Sequence, residues 1–162
     1  MTAKDIEVAV TGIFDIRKYL IVPNVSHGFN IHESDIIIVN NNNYITEVEI
    51  KISKSDFYRD FEKKHKHQDN RIRSFYYCMP EQIYNKVEAD IPESSGIITC
   101  REISKGWIKA TMLRKASLNR NARPITNNER YTLARLGAIR IWKLKREIIS
   151  LRNEIKKMKC EQ

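Results

Sequence analysis

Cysteine is scarce in this chain. There are 3, at positions 78, 100 and 160, widely spaced and with no Cys-x-x-Cys pair. Neither a zinc ribbon nor a disulfide framework is indicated, and a reducing, cytoplasmic setting fits best. Long apolar runs are also missing. No stretch approaches the ~18 residues of a membrane span, so no membrane partner is expected. The first residues mix one Lys with two acids and do not read as a signal peptide. No internal repeat is visible. Acidic residues become rare after position 100: residues 101–162 hold 17 Lys and Arg against 5 Asp and Glu, a net of +12.

What is present points to one globular domain with an appended element. The chain has 162 residues, 41% hydrophobic and 30% charged, which suits a soluble folded chain. Residues 1–100 carry 12 Lys and Arg against 15 Asp and Glu, a net of −3. A near-neutral first part and a basic tail suggest divided labour, with the tail holding a polyanion or simply forming a solvated basic helix.

The periodicity predicts a first helix over residues 3–20, with Thr2 as cap, then a loop containing Pro23, Asn24, Ser26, His27 and Gly28. Asp35 to Val39 is a short β-branched apolar run and reads as a strand buried on both faces. Asn40 to Asn43 reads as a turn and Tyr44 to Ile52 as the second strand of a hairpin. A charged helix follows over residues 54–69. Strands are expected over residues 74–79, 96–100 and 107–110, with a short helix or turn over residues 81–87. The fold class is α/β, a mixed sheet flanked by helices.

The chemistry is expected on the hairpin. Glu49 and Lys51 stand two apart on one strand and so share a face. Asp35 joins them if Val39 pairs with Ile45, which requires an odd loop; Asn41 to Asn43 suits a three-residue one. A slip of one residue would turn Asp35 to the opposite face. Two converging carboxylates make a hard oxygen site for Mg²⁺ or Mn²⁺, and Lys51 would orient a water or stabilise phosphate charge. Three charges on a short apolar strand are costly to bury without metal or partners. The plain alternative is a surface strand of alternating charge. Glu47 shares this face and is a second-rank ligand, a solvated strand residue being the favoured reading. His65 and His67 lack the spacing of a helical metal pair, and no zinc is assigned to them.

Asp35, a turn, Glu49-Ile50-Lys51, a helix and then a strand resemble the PD-(D/E)XK nuclease-like superfamily, with Ser34 where that name expects Pro. Residues 49–57, then Asp60, Lys63 and Lys64, Phe75-Tyr76-Tyr77, Pro80, Ile91-Pro92 and Gly96-Ile97-Ile98 more narrowly resemble the MmcB-type DNA-repair proteins. The resemblance covers roughly residues 3–113. It implies a restriction-endonuclease-like core, a divalent metal and a nucleic-acid substrate. It also makes Glu7, on the first helix, a candidate third carboxylate at the metal. An exposed Glu favoured by the helix dipole is the other reading of Glu7.

The expected organisation is therefore a nuclease core over residues 1–113, a basic linker over residues 114–125 and a helix over residues 126–160. In that helix Ile141, Leu144, Ile148, Leu151, Ile155 and Met158 recur at steps of three and four, the seam of a coiled coil. Across a parallel homodimer Glu147 would meet Arg152 and Glu154 would meet Lys159, while Arg140 would repel Lys145. Folding back on the core, or docking on another protein, is the alternative. Lys54, Lys63, Lys66, Arg114, Lys115, Arg120 and Arg123 are candidate phosphate contacts, with Arg130 and Arg135 beyond them. The functional expectation is a Mg²⁺-dependent nuclease acting in DNA repair or processing. Its rival is a non-catalytic nucleic-acid-binding or assembly protein on the same core.

Overall fold

A computed structural model of the chain describes residues 1–62, 67 and 69–160, the side chain of Cys160 excepted. The fold is α/β. Among the described residues, four α-helices accompany a six-stranded mixed sheet. The strands are β1 (Leu20–Val25), β2 (Ser34–Val39), β3 (Ile45–Ile50), β4 (Ile72–Pro80), β5 (Gly96–Ser104) and β6 (Trp107–Arg114), and they lie side by side in that order. β1 to β3 form an antiparallel meander, and β5 and β6 an antiparallel hairpin. β3 with β4, and β4 with β5, are parallel. Parallel neighbours need a crossover, supplied by α2 (Lys54–Asp60) and α3 (Glu81–Val87).

The first helix is shorter than its apolar spacing predicts. α1 runs only over Ala3–Val10, opened by a reciprocal Thr2–Asp5 capping box. Local polar groups then compete with the helix. The Thr11 hydroxyl donates to the Val8 carbonyl at 2.7 Å, and Asp15 accepts the Arg17 amide at 2.9 Å. Of the apolar residues that seemed to continue the helix, Ile13 lies in a turn and Leu20 opens β1. Pro23, expected in a loop, sits in this strand, which is tolerable because β1 is an edge.

Both faces of the sheet are covered, as the unbroken Ile36-Ile37-Ile38-Val39 run requires. On one face Ile6 and Val10 of α1 pack on Ile36, Ile38, Val48, Ile50, Cys78 and Ile98. On the other, Val22, Ile37, Val39 and Ile45 pack with Ile125 and Leu133. Further along, Phe57 of α2 packs with Tyr77, Met79, Val87, Ile91 and Ile97.

The stretch read as a linker is pinned to the sheet. Ser117, Asn119, Arg123 and Ile125 donate their amides to the carbonyls of Ser94, Arg73, Asn70 and Asn43, at 2.8 to 2.9 Å. α4 (Asn127–Cys160) then begins with a Thr126–Glu129 capping box. Its first turns belong to the core. Leu133 is fully buried, which contributes about 1.5–3 kcal/mol. Arg130 clasps the β2–β3 turn through the Asn40 carbonyl and the Asn43 side chain. From Ile141 onward the large apolar residues of the helix are exposed.

Candidate functional site

β3 carries the chemistry. The pairings Ile36 with Val48 and Val39 with Ile45 set the hairpin register. The three-residue loop Asn41–Asn43 closes it, with Asn43 at φ 62°. Continuing that register one step brings Asp35 level with Glu49. There the Asp35 carboxylate accepts the Ile50 amide at 2.7 Å, where β2 stops pairing. Asp35, Glu49 and Lys51 line one cleft of about 450 Å³, with Ala3 of α1 and Asp56, Arg59 and Asp60 of α2. The structure thus brings together the three residues of the expected site.

It also brings three that sequence reasoning missed. Phe57, the buried anchor of α2, lies one turn from Asp60, so Asp60 faces the sheet. His67 follows at a left-handed φ of 53°, outside the helix expected over residues 54–69. That helix ends at Asp60, its last turn tightened by bonds from the Phe61 and Glu62 amides to the Tyr58 and Arg59 carbonyls. His32 comes from the β1–β2 loop. His32 and His67 sit at irregular backbone positions, where no periodicity marks them. Asp60 had a weak signal, its i+3 relation to Phe57.

These groups form one buried chain of contacts. Lys51 Nζ donates to Glu49 Oε1 at 2.9 Å and to Asp60 Oδ1 at 2.7 Å. Asp60 Oδ2 accepts from the Tyr77 hydroxyl at 2.9 Å and meets His67 Nε2 at 2.7 Å. His67 Nδ1 and His32 Nε2 both lie against Glu47 Oε1, at 3.1 and 2.7 Å. Lys51 is 3% exposed and Glu47 0%. Glu47 is therefore no solvated strand residue.

Burial by itself would lower the His67 pKa, but its bonds to Asp60 and Glu47 outweigh that and raise it to about 9. Burial likewise opposes ionisation of Glu47, yet His32 and His67 hold its carboxyl below the usual range. Burial and the Asp60 charge push the Tyr77 phenol well up, which keeps it a donor. Glu47 Oε2 has no hydrogen-bond partner among the described residues. A buried acceptor left so costs about 1–3 kcal/mol.

The other expected residues are spread. Glu7 accepts from Asn24 Nδ2 at 3.1 Å, on β1 at the level of Asp35 but one strand further out. Of the seven candidate phosphate contacts, Lys54, Lys115, Arg120 and Arg123 are exposed. Arg114 is used internally, donating to the Ser95 and Pro92 carbonyls at 3.0 and 2.7 Å. Arg123 is paired with Glu129 at 2.7 Å. Arg130 is likewise engaged, with the β2–β3 turn. Lys63 and Lys66 lie outside the described residues. Phe75-Tyr76-Tyr77 is a core strand, with Tyr76 and Tyr77 buried.

No family model and no curated protein matches the chain. Among solved structures it is similar to the SPO1766 protein of unknown function from Silicibacter pomeroyi. The TM-score is 0.60 at 14% identity, over 95% of this chain and 93% of that one. That likeness concerns the fold alone. No helix among the described residues is long and apolar enough to cross a membrane.

Chemically the site offers two ends. At the cleft end, Asp35 and Glu49 present carboxylate oxygens, the donor set that suits Mg²⁺ or Mn²⁺. Deeper in, among the described residues, two sets of three side chains have donor atoms within 4.8 Å of one another: His32, Glu47 and His67, and Glu49, Asp60 and His67. Neither includes Asp35 or Glu7.

Proposed function

We propose that the protein is a divalent-metal-dependent nuclease with a restriction-endonuclease-like core of the PD-(D/E)XK type, hydrolysing phosphodiester bonds in nucleic acid, DNA above all, in repair or processing. The observation that carries this reading is the hairpin register, which sets Asp35 level with Glu49 on a cleft that Lys51 also lines. The succession of α1, an antiparallel three-strand meander, α2 and a parallel strand supports the same reading.

Asp35 and Glu49 would hold Mg²⁺ or Mn²⁺, and their hard oxygen donors fit it. Glu7 is the reserve carboxylate one strand away. When bound, the ion would polarise the scissile phosphate and acidify a water. The Ile50 amide fixes the Asp35 carboxylate, and Lys51 holds Glu49 in place. The Lys51 ammonium, on the same cleft, would orient the water or stabilise phosphate charge. Asp60 sets where that ammonium sits. Lys54, Lys115 and Arg120 would give the electrostatic grip on phosphate, falling linearly on a log–log salt plot. A second copy of the chain, joined through residues 141–158 of α4, would supply a second site for the opposite strand of a duplex.

One observation favours the rival reading, a binding or assembly protein without catalysis. Lys51 is already engaged by two carboxylates. The two readings part on plasmid and single-stranded DNA with Mg²⁺ or Mn²⁺. Cleavage that is lost with chelator, with Asp35→Asn and with Lys51→Ala supports the nuclease. Binding without cleavage, indifferent to those changes, would overturn it.

A further inference from the structure

We propose that His32, Glu47 and His67 form a second metal site, built for a transition-metal dication such as Zn²⁺ rather than for Mg²⁺. This goes beyond the nuclease reading and does not rest on it. The two imidazole nitrogens, His32 Nε2 and His67 Nδ1, converge on one oxygen of Glu47 at 2.7 and 3.1 Å. All three donor atoms lie within 4.8 Å of one another. Two nitrogens and one carboxylate suit zinc and its neighbours, while Mg²⁺ asks for oxygen ligands.

The site is built rather than incidental. Glu47 sits on a central strand, fixed by pairing with Ile37 on one side and Phe75 on the other. Its Oε2 is fully buried and lacks a hydrogen-bond partner among the described residues. A dication shared by the imidazoles and this carboxylate would offset the cost of burying that oxygen. The His67 ring is stacked on Phe75 with centroids 4.5 Å apart, and the His32 ring stands edge-on to it at 5.4 Å.

The support behind the ligands is also in place. Ligating histidines commonly turn their second ring nitrogen to a carboxylate, which fixes the tautomer. Here His67 Nε2 meets Asp60 at 2.7 Å, and Asp60 is itself held by Lys51 and Tyr77. That leaves Nδ1 on the side of Glu47. The competing set of Glu49, Asp60 and His67 is a poorer home for a cation, because the Lys51 ammonium already lies between its two carboxylates. A metal at His32, Glu47 and His67 would tie the β1–β2 loop and His67 to β3. Asp60, and through it Lys51, would be positioned from the far side.

The test uses the full chain, stripped with chelator and titrated with Co²⁺. Visible absorption and metal analysis report binding, and Zn²⁺ then competes. One Co²⁺ per chain, displaced by Zn²⁺ but not by Mg²⁺, is expected. Folded His32→Asn and Glu47→Gln variants, checked by circular dichroism, each remove one of three ligands and should lose the visible band at Co²⁺ concentrations that saturate the unaltered chain. Asp35→Asn, which abolishes cleavage under the nuclease reading, should leave Co²⁺ binding intact. No visible band in the wild-type chain with Co²⁺ in excess would overturn the site. So would full binding by the His32 and Glu47 variants. Neither result depends on whether the chain cuts DNA.

Discussion

Lys51 is held between Glu49 and Asp60 at 2.9 and 2.7 Å, almost wholly out of water. Two buried carboxylates share that one ammonium. Lys51→Met should therefore destabilise the fold by about 3–5 kcal/mol, because it takes the ammonium from two buried carboxylates at once. Tyr77→Phe removes a single donor from an Asp60 that keeps Lys51 and His67, and should cost about 1.5 kcal/mol. Urea unfolding of the two variants checks the order; a Lys51 variant no less stable than the Tyr77 one would refute this account of the cluster. The part of the site that strand geometry governs was readable from the residues alone. Alternation puts Glu49 and Lys51 on one face, and the Asn-rich turn fixes Asp35 against them. His32 and His67 were not readable, since each is delivered by irregular backbone whose direction only the folded chain decides. Asp60 fell between these cases, because its spacing from Phe57 marks an inward face but names no partner.

Secondary-structure elements followed the same division. β2 to β6 and α4 match their sequence patterns because strand burial and capping boxes are local signals, and α3 starts directly after Pro80. The first helix and β1 were misread because Ile6, Val10, Ile13 and Leu20 fit a helical period while Thr11, Gly12 and Asp15 break the helix. What a spacing rule misses is competition from side chains for backbone partners. The start of α4 shows the reverse, a cap that both sequence and structure make plain. Glu129 bonds the Thr126 amide and pairs with Arg123 and Arg71. The bonds from Arg123, and after them those from Thr126, overcome burial and depress the Glu129 pKa to about 2. A folded-state pKa below the unfolded value of about 4.3 means the contribution is fully present above that pH. It fades as pH falls toward 2. Glu129→Gln should cost about 1 kcal/mol at neutral pH. Its melting temperature should converge on that of the unaltered chain as the pH drops through this window. A gap that stays constant down to pH 2 would show that the ionised carboxylate is not what matters.

Beyond Arg140 the last helix leaves the body of the protein. The residues from Ile141 to Met158 span about 27 Å at helical rise, and the six seam residues are 47 to 57% exposed. A contiguous apolar stripe of that length on an otherwise basic helix calls for a partner. The second copy proposed above would set Glu147 and Glu154 opposite Arg152 and Lys159 across a parallel pair. Ile at the first seam position and mainly Leu at the second also favours two parallel strands. Leu144→Glu with Leu151→Glu should turn a dimer into a monomer by sedimentation while leaving the core's circular dichroism and unfolding midpoint near those of the unaltered chain. Direction can be read separately. With Cys160→Ser, and with Cys78 and Cys100 buried, Met158→Cys supplies one accessible thiol on the seam. In a parallel pair the two copies of residue 158 face each other and oxidise to a covalent dimer. In an antiparallel pair residue 158 lies near the other chain's Ile141, and no link forms. A dimer that resists this cross-link would reverse the assigned direction, and a monomer before any substitution would remove the second site from the proposed cleavage of duplex DNA.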